Sequence, residues 1–143
     1  MRSLIFIALF PLPATAWEFS PDPICTLRHS EGGTEMIVTY DAQLPEYSIS
    51  VTTEAFTWPD GVFFMGFSGP QPLTISTDRQ TISENGMTLT VRDSGFGNVL
   101  NGLEFNEAAY AGIEFNTVTV SLDGIAGPMR SFRACPNDIP ATS

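Results

Sequence analysis

The chain has 143 residues and no lysine, and it carries 16 acidic side chains against six arginines, for a formal net charge of −10. Such an acidic surface repels phosphate backbones and anionic lipid headgroups, so the composition disfavours binding to nucleic acid or to charged membranes. The length fits one domain with a hydrophobic core of its own.

The start of the chain has the layout of a secretory signal peptide. Arg2 gives a positive start, residues 4–10 form an uncharged apolar run, and small residues lead up to Ala16. This run is far shorter than the roughly 20 residues that span a bilayer. We therefore predict a signal peptide at 1–16 and one domain at 17–143. That domain is expected in the periplasm or secreted, with no membrane insertion after cleavage.

Most of the remaining chain alternates between apolar and polar residues, which is typical of half-buried strands. Asn85-Gly86 is the strongest hairpin signal, because both residues tolerate the positive φ of a type I′ turn. Several short strands at regular spacing predict an all-β domain, either an antiparallel sandwich or a flattened barrel. The alternating stretches lie at 35–40, 47–52, 87–92 and 117–122, with shorter ones at 25–29 and 73–77.

Two stretches of this β domain predict helices. Residues 98–105 follow a glycine-rich turn, and Asn98 is the candidate N-cap. Apolar side chains at helical spacing from Ile125 to Cys135 predict a short C-terminal helix. Two cysteines in an exported chain usually pair, so Cys25 and Cys135 are predicted to form a disulfide that ties the first of these strands to this helix.

Signals for catalysis and metal binding are weak. The single histidine, His29, would need Cys25 as a free thiolate for Cys–His chemistry, and the disulfide removes that thiol. One histidine and two paired cysteines leave no tetrahedral zinc set. The acidic and amide side chains of residues 93–107 would suit calcium, but turn formation and helix capping explain them equally well. We predict no catalytic residue, no metal and no cofactor.

An aromatic segment gives the best candidate for a binding surface. In residues 62–67 apolar side chains occupy both alternating faces, which is typical of a central strand buried on both sides. If one face is open, the segment instead forms an apolar patch suited to a partner. Trp58 precedes a turn. If Trp58 lies at the tip of that loop, its replacement by alanine would weaken partner capture with little loss of stability. The candidate surface comprises Phe56, Trp58, Phe64, Phe96, Asn98 and Asn101.

Four stretches of the chain carry a resemblance to a known family. They are residues 17–19, 73–79, 93–106 (DSGFGNVLNGLEFN) and 131–135. These stretches resemble motifs of short, uncharacterised exported proteins of Gram-negative bacteria, whose members are often labelled as the B subunit, a helicase-like component, of the excinuclease of DNA repair. Such a component needs a G-x-x-x-x-G-K-[ST] loop for ATP, and a chain without lysine has none. The resemblance implies export and brings no activity with it.

The function expected from the sequence is a non-enzymatic binding or interaction module of the periplasm. Its partner would be an unknown protein or small ligand, and the acidic surface argues against nucleic acid. Two alternatives remain open: a carboxylate-based hydrolase of unfamiliar type, which would need two acids, or an acid and His29, converging in a concave pocket, and a structural envelope protein.

Overall fold

A computed structural model describes residues 16–138, so the predicted signal peptide lies outside the described residues except for Ala16. The described part contains ten strands and two helices. In chain order they are β1 (Glu18–Ser20), β2 (Cys25–Glu31), β3 (Thr34–Asp41), β4 (Glu46–Thr53), β5 (Phe63–Ser68), β6 (Leu73–Thr77), β7 (Thr81–Ile82), β8 (Thr88–Asp93), α1 (Gly97–Glu104), β9 (Ala108–Ile113), β10 (Asn116–Ser121) and α2 (Ala126–Asp138).

The strands form two antiparallel sheets packed face to face. One sheet has the order β1-β2-β3-β4-β8-β7 and the other β10-β9-β5-β6. Leu27, Val38 and Ile49 lie side by side on the inner face of the first sheet, and all three are buried. Met65 and Ala111 are paired and buried on the inner face of the second. The all-β prediction is confirmed, and of its two forms the sandwich is the one present.

The hairpin predicted at Asn85-Gly86 is confirmed, because β7 and β8 pair antiparallel. Its turn differs from the expected type I′. The Gly86 N–H donates to the carbonyl of Ser83 at 2.9 Å, and Gly86 has φ of 77° while Asn85 keeps a negative φ. The Asn85 side chain instead accepts hydrogen bonds from the Ser83 hydroxyl and the Met87 N–H. These bonds hold the turn in a form in which Gly86 has a positive φ and Asn85 does not.

Helix α1 begins one residue earlier than predicted, so the assignment of Asn98 as N-cap is wrong. Phe96 occupies the cap position, makes no side-chain cap bond, and its carbonyl accepts the N–H of Leu100 at 2.9 Å. The reason is packing, since the Phe96 ring is buried and stacks on Tyr47 with centroids 5.4 Å apart. The core thus fixes where this helix starts, and Asn98 is left in the first turn.

The C-terminal helix and the disulfide are both confirmed. Helix α2 packs beside β1 and β2, with Met129 and Phe132 buried against the sandwich. Cys135 on this helix is bonded to Cys25 at the start of β2, with Cα atoms 6.1 Å apart. The bond therefore joins the last helix to the larger sheet.

Candidate functional site

Trp58 lies in the core rather than at an exposed loop tip. Its side chain is 5% exposed, and its indole N–H donates to the carbonyl of Val51 at 3.2 Å. The ring makes edge contacts with Phe56 and Phe63 at centroid distances of 5.0 and 5.9 Å. The expectation that Trp58 is an accessible binding residue is therefore wrong, because the chain around the following turn directs the indole inward, against Val51 and Phe63.

The six residues of the predicted binding surface do not lie on one face. Phe96 is buried like Trp58, and Phe64 lies on the outer face of the smaller sheet. Asn98 and Asn101 are exposed on α1, where the Asn101 side chain accepts a hydrogen bond from Arg133 of α2 at 2.9 Å. The predicted surface is thus divided between the core, a sheet face and a helix.

The structure does contain a cleft between the two sheets, beside β6 and β8. Its volume is about 560 Å³, within the range of small-molecule sites. Ile49 and Val91 line it from the larger sheet, and Met65 and Ile75 line it from the smaller one. Ile75 and Val91 are only half-buried although they point inward, so the sandwich is not fully closed here.

One end of the cleft is formed by the glycine-rich turn and the start of α1. Phe96 and Asn98 line it, so two of the six predicted residues do meet at one site. Arg79 and Asp93 also line the cleft as an exposed ion pair, with Nη2 and Oδ2 3.6 Å apart. An exposed pair of this kind contributes little to stability, so its groups are free to turn towards a ligand.

His29 and Glu31 meet inside the protein, away from this cleft. The His29 side chain is 4% exposed, and its Nε2 lies 2.9 Å from Glu31 Oε1. That carboxylate also accepts the Ser121 N–H at 2.9 Å. The ring of Trp17 stacks on the imidazole with centroids 4.7 Å apart, and its indole N–H donates to the Ser121 carbonyl.

This cluster gives Glu31 an unusual environment. Partial burial acts to raise the pKa of its carboxyl, but the hydrogen bonds from His29 and the Ser121 N–H, with the charge of His29, outweigh it and hold the pKa below its ordinary value. The hydrolase alternative requires two acids, or an acid and His29, to converge in a concave pocket. Glu31 and His29 converge beneath Trp17, and neither lines the inter-sheet cleft.

A second groove of about 760 Å³ lies beside the disulfide. Phe19, Ile24 and Tyr40 line it together with Cys135, and Asp41 adds a carboxylate. Among residues 16–138, no three His, Cys, Asp or Glu side chains lie close enough together to share a metal ion. Over the same residues, no helix has the length and apolar character required to span a bilayer.

No protein-family model matches the chain, and no curated protein or solved structure matches it. The fold and its open cleft define a class: a disulfide-tied β-sandwich with an inter-sheet cavity.

Proposed function

We propose that this protein is a non-enzymatic binding module that takes a small, largely apolar ligand in the inter-sheet cleft. The observation that carries the proposal is the incomplete closure of the sandwich. Ile75 and Val91 point between the sheets yet stay half-exposed, beside a cavity large enough for an organic molecule. Burying such apolar surface under a ligand is favourable at roughly 25 cal/mol per Å².

The groups along the cleft give the ligand an orientation. The deep part is lined by apolar side chains of both sheets, whereas Arg79 and Asp93 are exposed. A ligand with an apolar body and a short polar end fits this arrangement, because its polar end reaches Arg79 or Asp93 while its body stays between the sheets. Because the ion pair contains one positive and one negative group, it suits a ligand whose polar end is neutral or zwitterionic.

Export to the periplasm is part of the same proposal. The disulfide supports it, because such bonds persist in oxidising compartments. The predicted cleavage point supports it as well, since Ala16 is exposed whereas Trp17 is 3% exposed and hydrogen-bonded to Ser121. The described core side chains all follow Ala16, so removal of residues 1–16 would leave the described core in place.

The test uses N-phenyl-1-naphthylamine, an uncharged dye that fluoresces when it enters an apolar site. We expect saturable binding that Val91→Phe weakens at least about tenfold, because the larger side chain fills the cleft, a loss of about 1.4 kcal/mol. Leu44→Ser and Phe115→Ser are the matched controls, since these apolar side chains are 64% and 99% exposed outside the cleft. Both controls should bind the dye as the wild type does.

Thermal unfolding of each variant separates a filled cleft from a damaged fold. If Val91→Phe unfolds at the wild-type temperature and still binds the dye with unchanged affinity, the cleft is not the site. If only Phe115→Ser loses dye binding, the dye binds at the β9–β10 turn, and the proposal of a ligand between the sheets loses its support.

A further inference from the structure

A second surface lies on the opposite side of the smaller sheet from the cleft. The strand register places Phe64 opposite Gly112 and Gly66 opposite Tyr110, all on the outer face. Thr74 flanks this set on β6 and Thr119 flanks it on β10, and both are exposed. We call these six residues the outer platform: Phe64, Gly66, Thr74, Tyr110, Gly112 and Thr119.

Two aromatic rings of the platform lie against glycines of the neighbouring strand. A Cβ atom on Gly66 would overlap the ring of Tyr110, and one on Gly112 would come within 2.7 Å of Phe64 Cζ. Each ring therefore covers the glycine of the neighbouring strand. The rings remain partly exposed, with centroids 6.4 Å apart and planes 63° apart. Their positions are close enough for one six-membered sugar ring to contact both.

The platform is also electrically neutral, unlike the outer face of the larger sheet. No outward-facing position of the four described strands of this sheet carries a charge. The outer face of the larger sheet, in contrast, carries Arg28, Glu35 and Arg92, the first two forming an ion pair at 3.6 Å. In a chain of net charge −10, a neutral face that bears aromatic rings and hydroxyls points to an uncharged ligand.

We infer that the outer platform binds a neutral polysaccharide strand. The C–H groups of such sugars contact the rings of Phe64 and Tyr110, and their hydroxyls pair with the hydroxyls of Thr74 and Thr119. A second copy of this chain is disfavoured by mutual repulsion of two acidic proteins, and a basic protein would seek carboxylates that the platform lacks.

The first experiment locates the sugar on the isotope-labelled protein by nuclear magnetic resonance. The probes are cellotetraose and the tetramer of N-acetylglucosamine, each added to about 10 mM, well above a millimolar dissociation constant. We expect saturable shifts of the backbone amides at residues 64–66 and 110–112. Shifts confined to Ile49 and Val91 would place the sugar in the cleft, and no shift with either probe would exclude the site; both results overturn the inference.

Variants then test which groups hold the sugar. Phe64→Ala and Tyr110→Ala should each lower affinity at least about tenfold, since each removes one of the two rings that contact the sugar. Thr119→Glu keeps both rings but replaces a platform hydroxyl with a charge, and it should also weaken binding severalfold. Thr81→Glu is the matched control, an exposed strand threonine on the other sheet, and should bind normally. An equal loss of sugar affinity in Thr81→Glu would overturn the inference, because a negative charge far from the platform would then weaken binding just as much.

Discussion

Replacing Trp58 by alanine tests whether the aromatic segment belongs to the core. The indole is 5% exposed, contacts the rings of Phe56 and Phe63, and donates a hydrogen bond to the Val51 carbonyl. The substitution removes all three interactions and leaves a cavity where the indole packs. It also leaves a buried carbonyl without its side-chain partner.

The expected loss of stability is large. Truncation of a buried tryptophan to alanine costs about 3–5 kcal/mol, so we expect a decrease of about 4 kcal/mol in the free energy of unfolding. For a domain of this size each kcal/mol lowers the melting temperature by about 4 °C. The predicted shift for Trp58→Ala is therefore a decrease of about 16 °C in Tm.

Urea unfolding followed by circular dichroism measures this loss without depending on tryptophan fluorescence. Trp58→Phe keeps an aromatic ring but loses the N–H, and we expect it to cost about 1–2 kcal/mol. Phe115→Ala is the surface control, expected within about 0.5 kcal/mol of wild type because its side chain is 99% exposed. A Trp58→Ala protein as stable as the Phe115→Ala protein would refute the burial argument.

Two further predictions concern the disulfide and the Glu31 cluster. The Cys25–Cys135 bond closes a sequence separation of 110 residues, so its reduction should lower stability by up to about 5 kcal/mol on the chain-entropy model. Urea unfolding with and without reductant measures this, and two free thiols in the unreduced, unfolded protein would contradict the pairing. Folding lowers the pKa of Glu31, so the ionised carboxylate stabilises the folded state at neutral pH. This stabilisation is lost as the pH falls through the folded-state pKa. Glu31→Gln should therefore lose less stability than wild type between about pH 6 and pH 3, and parallel losses would disprove this link.

The strands that alternate most clearly are the ones that the sequence predicts best. Residues 47–52, for example, form the interior of β4 because Ile49 and Val51 face the core and the serines between face outward. Strand β9 is missed for a physical reason. Its Ala-Ala-Tyr-Ala-Gly-Ile sequence has low strand propensity and no apolar alternation. Partners on both sides, β5 and β10, make it a strand nonetheless.

The cleft is harder to predict from sequence than the strands. Ile75 and Val91 have the inward positions that normally indicate complete burial, and their exposure depends on how far apart β6 and β8 lie. That distance follows from the packing of both sheets, not from local pattern. The turn after Trp58 misleads in a similar way, because turn residues predict a change of direction but not the side on which the ring packs.

The position of the disulfide also affects how the protein withstands proteases. The covalent loop runs from β2 to α2 and contains every element between them. A single backbone cut at an exposed turn, such as the one around Leu44, therefore releases no fragment, because the two pieces stay joined through sulfur. In a compartment rich in proteases, a nicked molecule of this fold keeps all of its parts together.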